Sequence, residues 1–299
     1  MKSDKYVIAV SGGIDSIVLL DMIFKKKLKV ESLFLDPKNM VIAHFDHGIR
    51  KDSAEDRIFV EELANKYGIE FYFEREELGP NASEALARER RYKFLRKIMK
   101  ETGSEAVITA HHQDDLIETV TINLIRGTKR KGLSSLSSKG DIIRPMLGIS
   151  KSEIKDYADE NNLSWREDET NLSDKYLRNK LRKKLSLISS KDRQKIIGII
   201  NQLANLNNDI DDDVEEIYSS GVREGAFDRK FFISLNHGSS KEILAHWLRR
   251  YNVQFDKKLI EKLTIDLKVG KNKSKFDIND NYYFEVGGDL ISVKARRSV

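Results

Sequence analysis

Cysteine is absent from all 299 residues. With it go disulfides, iron–sulfur clusters, thiolate zinc sites and any chemistry that carries sulfur as a cysteine persulfide. Long apolar runs are missing too: no stretch approaches the roughly 18 to 20 residues that span a bilayer. Met1 to Lys5 lead into the first apolar run without a signal-peptide core, so the expectation is a cytoplasmic protein with no membrane partner. Neither Gly-x-x-x-x-Gly-Lys nor Gly-x-Gly-x-x-Gly occurs, so the two common nucleotide fingerprints do not apply. What is present is charge. Charged residues make up 34% of the chain, with a net charge of +5, a basic bias that suits a polyanionic partner. The length and a hydrophobic share of 39% allow a large core and two domains.

The most informative stretch is Ser11-Gly12-Gly13-Ile14-Asp15-Ser16, between the β-branched run Tyr6 to Val10 and the helically spaced run Ile17 to Phe24. Glycines at a strand-to-helix turn let the backbone approach a ligand, and the first helical amides lack intrahelical partners. Together they form an anion site that suits phosphate. Ser11 and Ser16 add hydroxyl donors. Asp15 would repel a bare phosphate unless a divalent metal or another cation lies between them, which favours a magnesium nucleotide.

Further runs follow in alternation. Met40 to Phe45 reads as a second strand ending in His44-Phe45-Asp46-His47-Gly48-Ile49-Arg50, Ala54 to Tyr67 as a helix, and Glu70 to Phe73 as a short strand. Strand, helix, strand, helix, strand argues for a doubly wound parallel sheet with right-handed crossovers. Ligands of such sheets bind beyond the carboxyl ends of the strands. That places His44 beside the phosphate loop and makes Arg50 a candidate phosphate or RNA contact. Asn81 and Ser83 are candidate caps for a helix from Glu84, on which Arg88, Arg91 and Tyr92 share a face.

Ala106 to Ala110 is the fourth strand and delivers His111-His112-Gln113-Asp114-Asp115-Leu116-Ile117-Glu118. Asp115 and Glu118 are three apart, on one face of the helix that begins there. Two acids beside a histidine can hold a cationic amine, ligate a metal or perform acid–base work. Arg126, Lys129, Arg130 and Lys131 form a glycine-flanked basic loop suited to a phosphate backbone. Ile142 to Leu147 reads as the fifth strand, and Ser150 with Glu153 as a capping box. Arg178, Arg182 and Lys183 recur near helical spacing, a basic stripe.

The loop resembles that of the N-type ATP pyrophosphatases. The ordered set, from the loop through His44 to Arg50, Glu84 to Tyr92, His111 to Thr119, Arg126-Gly127, Arg144-Pro145 and Asn171 with Arg178-Asn179 to Arg182, resembles the tRNA(Ile)-lysidine synthetase family. At Lys129 the basic loop departs from a pattern that often carries another glycine. The resemblance implies ATP-dependent joining of L-lysine to C2 of the wobble cytidine of the CAU-anticodon isoleucine tRNA. ATP with Mg2+ would be bound by Ser11, Gly12, Gly13, Ile14, Asp15, Ser16 and His44, with Asp15 as a magnesium contact. It implies Asp15, His111, Asp115 and Glu118 as catalytic residues. Lysine would meet Arg88, Arg91, His111, Asp115 and Glu118; tRNA would meet Arg50, Arg126, Lys129, Arg130, Lys131, Arg178 and Arg182. The alternative is an ATP-pyrophosphatase amidotransferase or synthetase acting on a small molecule.

The expected organisation is a catalytic domain over 1–190, a helical linker over 191–225 with a break at Asn207-Asn208, and a small α+β domain over 226–299. That last domain would hold tRNA, with Lys241, Arg249, Arg250 and Lys294 as contacts, or buttress the catalytic domain. A homodimer stays open.

Overall fold

The computed structural model describes residues 5–30, 33–48, 53–79, 82–128, 130–133, 136, 140–166, 177–185, 187–223 and 225–296. Its contacts divide the chain into two units, 1–204 and 205–299.

The first unit is built on a five-stranded sheet. Across it run Glu70–Arg75, Met40–Asp46, Tyr6–Ala9, Ala106–Ile108 and Ile142–Ile143, and every adjacent pair is parallel. Register explains how so few residues fill two cores. Val7 lies level with Val41 and Val107, and Ile8 with Ile42 and Ile108. Successive side chains point to opposite faces, so the valine row packs against Phe94, Leu95 and Ile98 of the helix Glu84–Glu101. The isoleucine row meets the helices Ile14–Phe24, Ser53–Tyr67 and Lys151–Glu160 on the other side. Helices on both faces are why Met40–Asp46 is buried at every position.

One buried acid ties those three helices together. Asp21 is 3% exposed and accepts from Tyr67 Oη at 3.1 Å and Tyr157 Oη at 2.8 Å, with Lys25 Nζ at 2.9 Å. Burial and the neighbouring carboxylate push the Tyr67 phenol up to about 12, so it remains a donor. The first helix, which carries the phosphate loop at its start, is thereby fixed along its length.

The helix Ser190–Gly221 runs unbroken through Asn207-Asn208, where the sequence suggests an interruption. Ile197, Ile200, Asn207, Val214 and Tyr218 are all buried and recur at helical spacing. Two asparagines cost a helix well under 1 kcal/mol each, less than burial of such a stripe returns. In the second unit, strands Lys275–Asp277, Tyr282–Gly287, Leu290–Ala295, Ala226–Asp228 and Val222–Arg223 form an antiparallel sheet in that order. Its core gathers Trp247, Phe227, Phe232 and Phe284, with Trp247 and Phe284 centroids 4.8 Å apart. No helix among the described residues is long and apolar enough to cross a membrane.

Candidate active site

Sheet order reverses at Tyr6–Ala9, which pairs with Met40–Asp46 on one side and Ala106–Ile108 on the other. Beyond the carboxyl ends of these strands lies a cavity of about 510 Å³, where open parallel sheets place their ligands. Ser11, Asp15, His44, Arg88, Arg91, His111 and Asp115 all line it.

The phosphate loop is held by its own serines. Ser16, 4% exposed, donates through Oγ to Gly13 O at 2.8 Å and accepts from Ser11 N at 3.2 Å. Its hydroxyl therefore braces the loop, whereas Ser11 is exposed. Gly12 has φ +92°, a conformation that other residues rarely adopt. Its carbonyl accepts from Arg166 N at 3.0 Å. Gly13 caps the following helix with no side-chain hydrogen bond, whereas the helices starting at Glu84, Gln113, Lys151, His237 and Lys257 each have a capping side chain. The uncapped amides are those that face an incoming anion.

Asp15, in the first turn of that helix, meets Lys151 Nζ at 2.5 Å. Its other oxygen lies 3.7 Å from His112 Nε2, which in turn is 3.5 Å from Asp115 Oδ2. Asp115 also accepts from the His112 amide at 3.1 Å, closing a capping box in which His112 Nδ1 receives Asp114 N at 3.2 Å. The acid pair is met by a cation from the helix Leu177–Leu185. Arg182 Nε reaches Glu118 Oε1 at 2.7 Å, and Nη2 reaches Asp115 Oδ1 at 3.4 Å. Against the cost of burial, the neighbouring histidines and Arg182 hold the Asp115 carboxyl below its ordinary range.

The far wall is cationic. Arg88, Arg91 and Tyr92 come together as helical spacing predicts, with the two guanidinium carbons 4.8 and 5.5 Å from the Tyr92 ring centre. Neither arginine has a carboxylate within 4 Å among the described residues. Burial, then the charge of Arg88, lowers the Arg91 pKa, but a guanidinium stays charged regardless. Burial pulls the His111 imidazole down to about 3, with Arg144, Arg91 and Arg88 adding to it, and His47 down to about 4. Both rings are neutral at physiological pH. His111 Nδ1 lies 2.8 Å from Thr109 Oγ1.

His44 is 3% exposed and donates from Nδ1 to Val10 O at 2.9 Å. Nε2 is then a bare acceptor, and among the described residues it has no hydrogen-bond partner. Ser53 Oγ, on the same cavity wall, likewise has none. No group of three or more His, Asp or Glu among the described residues is arranged to hold a metal. Asp15 offers a carboxylate beside the phosphate loop, which suits magnesium, an ion that takes one or two carboxylates and completes its shell from substrate phosphate and water.

Some expected site residues lie elsewhere. Arg182 faces the acid pair instead of standing free for RNA. Arg50 and Lys129 lie outside the described residues, as does the side chain of Arg178. Arg126 is exposed, and Arg130 and Lys131 open the short helix Arg130–Leu133. In the second unit Lys241 pairs with Glu261 at 3.0 Å and Arg250 with Glu215 at 3.0 Å. Arg249 lies over Phe255, and Lys294 is exposed. Residues that spacing did not single out are His112, Lys151, Arg166 and Ser53. For His112 the signal was there: it precedes the helix at the N-cap position.

The PP-loop domain family matches residues 1–187. A tRNA(Ile)-lysidine synthase from Thermosipho africanus is 31% identical over 97% of this chain and 67% of its own length. The chain belongs to the PP-loop family, among the tRNA(Ile)-lysidine synthases. Another such synthase, from Persephonella marina, is 38% identical over 60% of this chain and 40% of that protein. A third, from Thermotoga maritima, is 38% identical over 62% of this chain and 45% of that protein. The chain thus spans under half the length of these two lysidine synthases. Among solved structures, the U34-tRNA thiolase NcsA from Methanococcus maripaludis superposes with a TM-score of 0.55 over 69% of this chain and 74% of that one, at 18% identity. That likeness is one of fold alone.

Proposed function

We propose that this chain joins L-lysine to C2 of the wobble cytidine of the CAU-anticodon isoleucine tRNA, with cleavage of ATP to AMP and pyrophosphate. The observation that carries this reading is the cavity shared by the phosphate loop, Asp115 and the two arginines of the far wall, with Glu118 held beside Asp115 through Arg182. An anion cradle, an ammonium site and a carboxylate fork within one cavity match a nucleotide and a zwitterionic amino acid.

In the first step the cytidine O2 attacks the α-phosphorus, the bond to pyrophosphate breaks, and the uncapped amides after Gly13 stabilise the leaving charge. Magnesium on Asp15 would neutralise phosphate charge there. In the second step the lysine ε-amine attacks C2 and AMP leaves with the oxygen. Asp115 and Glu118 hold the amine, Arg88 and Arg91 hold the amino-acid carboxylate, and a carboxylate or His111 takes the proton that the ammonium must lose. A neutral His111 beside that amine does not repel it. His44 Nε2 and Ser53 Oγ suit the hydroxyl and amino groups of a nucleoside.

The excess positive charge supports RNA contact through the first unit. From Asn205 onward acidic and basic residues balance, so the surplus lies entirely before it. Lys180, Lys183 and Lys184 are exposed on the helix that brings Arg182 to the acids.

The test is pyrophosphate release with lysine and tRNA each omitted in turn, and mass analysis of the tRNA. Release that requires the CAU tRNA, followed by a lysine-dependent gain of mass at the wobble base, is the expected result. Release that needs neither, or that needs ammonia instead, overturns the reading in favour of a small-molecule synthetase.

A further inference from the structure

Resting on that reading, we propose that His112 is a positioning residue: its Nε2 edge lies between Asp15 and Asp115, so that one imidazole sets the acid of the phosphate loop and the acid of the amine site together.

Three observations carry this. The first is the tautomer. Nδ1 receives the Asp114 amide at 3.2 Å, so in the neutral ring the proton sits on Nε2. The second is where that proton points. Nε2 lies 3.7 Å from Asp15 Oδ2 and 3.5 Å from Asp115 Oδ2, longer than a hydrogen bond to either, so the ring acts on the two acids as one polar edge between them. The third is burial: His112 is 5% exposed, so the ring cannot rotate to water and its proton stays between the two acids.

Each carboxylate has a cation on its other oxygen. Lys151 holds Asp15 and Arg182 holds Asp115, with Arg182 continuing to Glu118. The chain Lys151, Asp15, His112, Asp115, Arg182, Glu118 therefore alternates in polarity from one half-site to the other. Without the imidazole, nothing would stand between the two carboxylates at the Nε2 position, and each would turn toward its own cation. Neither would then point into the cavity at the angle its substrate needs. His112 touches neither substrate in this account; it acts through the two acids.

The cap and the bridge can be separated. In His112→Asn the amide oxygen still caps the helix, since asparagine is among the best N-caps, but nothing reaches the carboxylates. In His112→Gln the amide N–H extends to about the place of Nε2. The expected result is that His112→Asn melts near the wild type, yet raises KM for both ATP and lysine by about 10-fold, the cost of a lost polar contact to a charged group. His112→Gln regains part of both. Wild-type KM values in His112→Asn, or an effect on one substrate alone, overturn the proposal.

A second readout needs no turnover. In the 15N spectrum of histidine-labelled protein, His112 shows a bare Nδ1 and a protonated Nε2, and its Nε2 signal moves in both Asp15→Asn and Asp115→Asn. The opposite tautomer, or a signal indifferent to either substitution, rejects the bridge. Should the wild type fail to require lysine and tRNA while this spectrum is as expected, the ligase reading falls and the bridge stands.

Discussion

Arg182 closes on Glu118 with Nε 2.7 Å from Oε1, and the carboxylate it covers is 2% exposed. The arginine side chain is 40% exposed, so solvent screens one partner and not the other. Removing the cation takes a partner from a buried charge, which typically costs about 3–5 kcal/mol when both partners are buried. Here the expectation for Arg182→Met is a smaller loss, about 1–3 kcal/mol by urea unfolding. Combining it with Glu118→Gln should recover part of that loss, because of the two acids only Asp115 then loses the arginine while still charged. Simple additivity of the two changes would show that the pair contributes nothing.

Asp15 and Asp115 both lie beside the His112 ring, and in the proposed reaction they serve different steps. Asp15→Ala is expected to abolish pyrophosphate release while tRNA still binds. Asp115→Ala should leave adenylation of the tRNA and slow lysine transfer by about 100-fold or more, the loss of a charge-assisted contact made to the reacting amine. Single-turnover assays with labelled ATP and labelled lysine separate the two. If both variants lost only tRNA affinity, the division of labour would be wrong.

Acid should destabilise the first unit earlier than its carboxylates require. His111 and His47 are held down to about 3 and about 4, and His44 is lowered by burial. An unfolded histidine titrates near 6.5. Between those values the unfolded chain binds more protons, so stability rises with pH across the window and is lost as pH falls through it. The contribution is complete above about pH 6.5. From pH 6.5 to 5 the expected fall is about 1–2 kcal/mol for each of His111 and His47. Urea midpoints at those two pH values measure it, and His47→Gln should flatten the slope.

The exposed lysines of the helix Leu177–Leu185 are the most direct test of the proposed RNA contact. Reversing Lys183 and Lys184 to glutamate should weaken tRNA binding at low salt. It should also shrink the slope of log affinity against log salt by about one for each phosphate that the protein no longer neutralises. Filter binding at several salt concentrations gives both numbers. Unchanged slopes would remove this helix from the interface.

The sheet was legible because its strands are short runs rich in β-branched or aromatic residues between turn residues, and the phosphate loop because glycines and serines cluster at the first strand's end. Short-range signals also placed the Ser150 capping box and the Arg88, Arg91, Tyr92 face. What failed was local evidence for non-local pairing. Lys151 lies 136 residues from Asp15 in the chain, and Arg182 lies 64 from Glu118. Nothing in a basic stripe says that one of its members turns inward to an acid. Val222–Arg223 and Ala226–Asp228 are too short for any alternation to register. Asn207 misled in the other direction, since its own preference is against a helix while its neighbours' register runs straight through it.

The cradle at Gly12 and Gly13 is made of main chain, and this governs which inherited changes can silence it. No side-chain deletion removes a backbone amide, so substitutions around the loop degrade it only by altering its shape. A methyl at Gly12 would find ordinary contacts, the nearest at 3.6 Å, yet its φ of +92° bars almost every other residue. At Gly48 the same left-handed backbone coincides with a collision, 2.8 Å to the Glu77 Cα. A saturation scan of the gene should therefore find Gly12 intolerant for conformational reasons alone and Gly48 intolerant twice over, with no allele at either position that is rescued by trimming a neighbour.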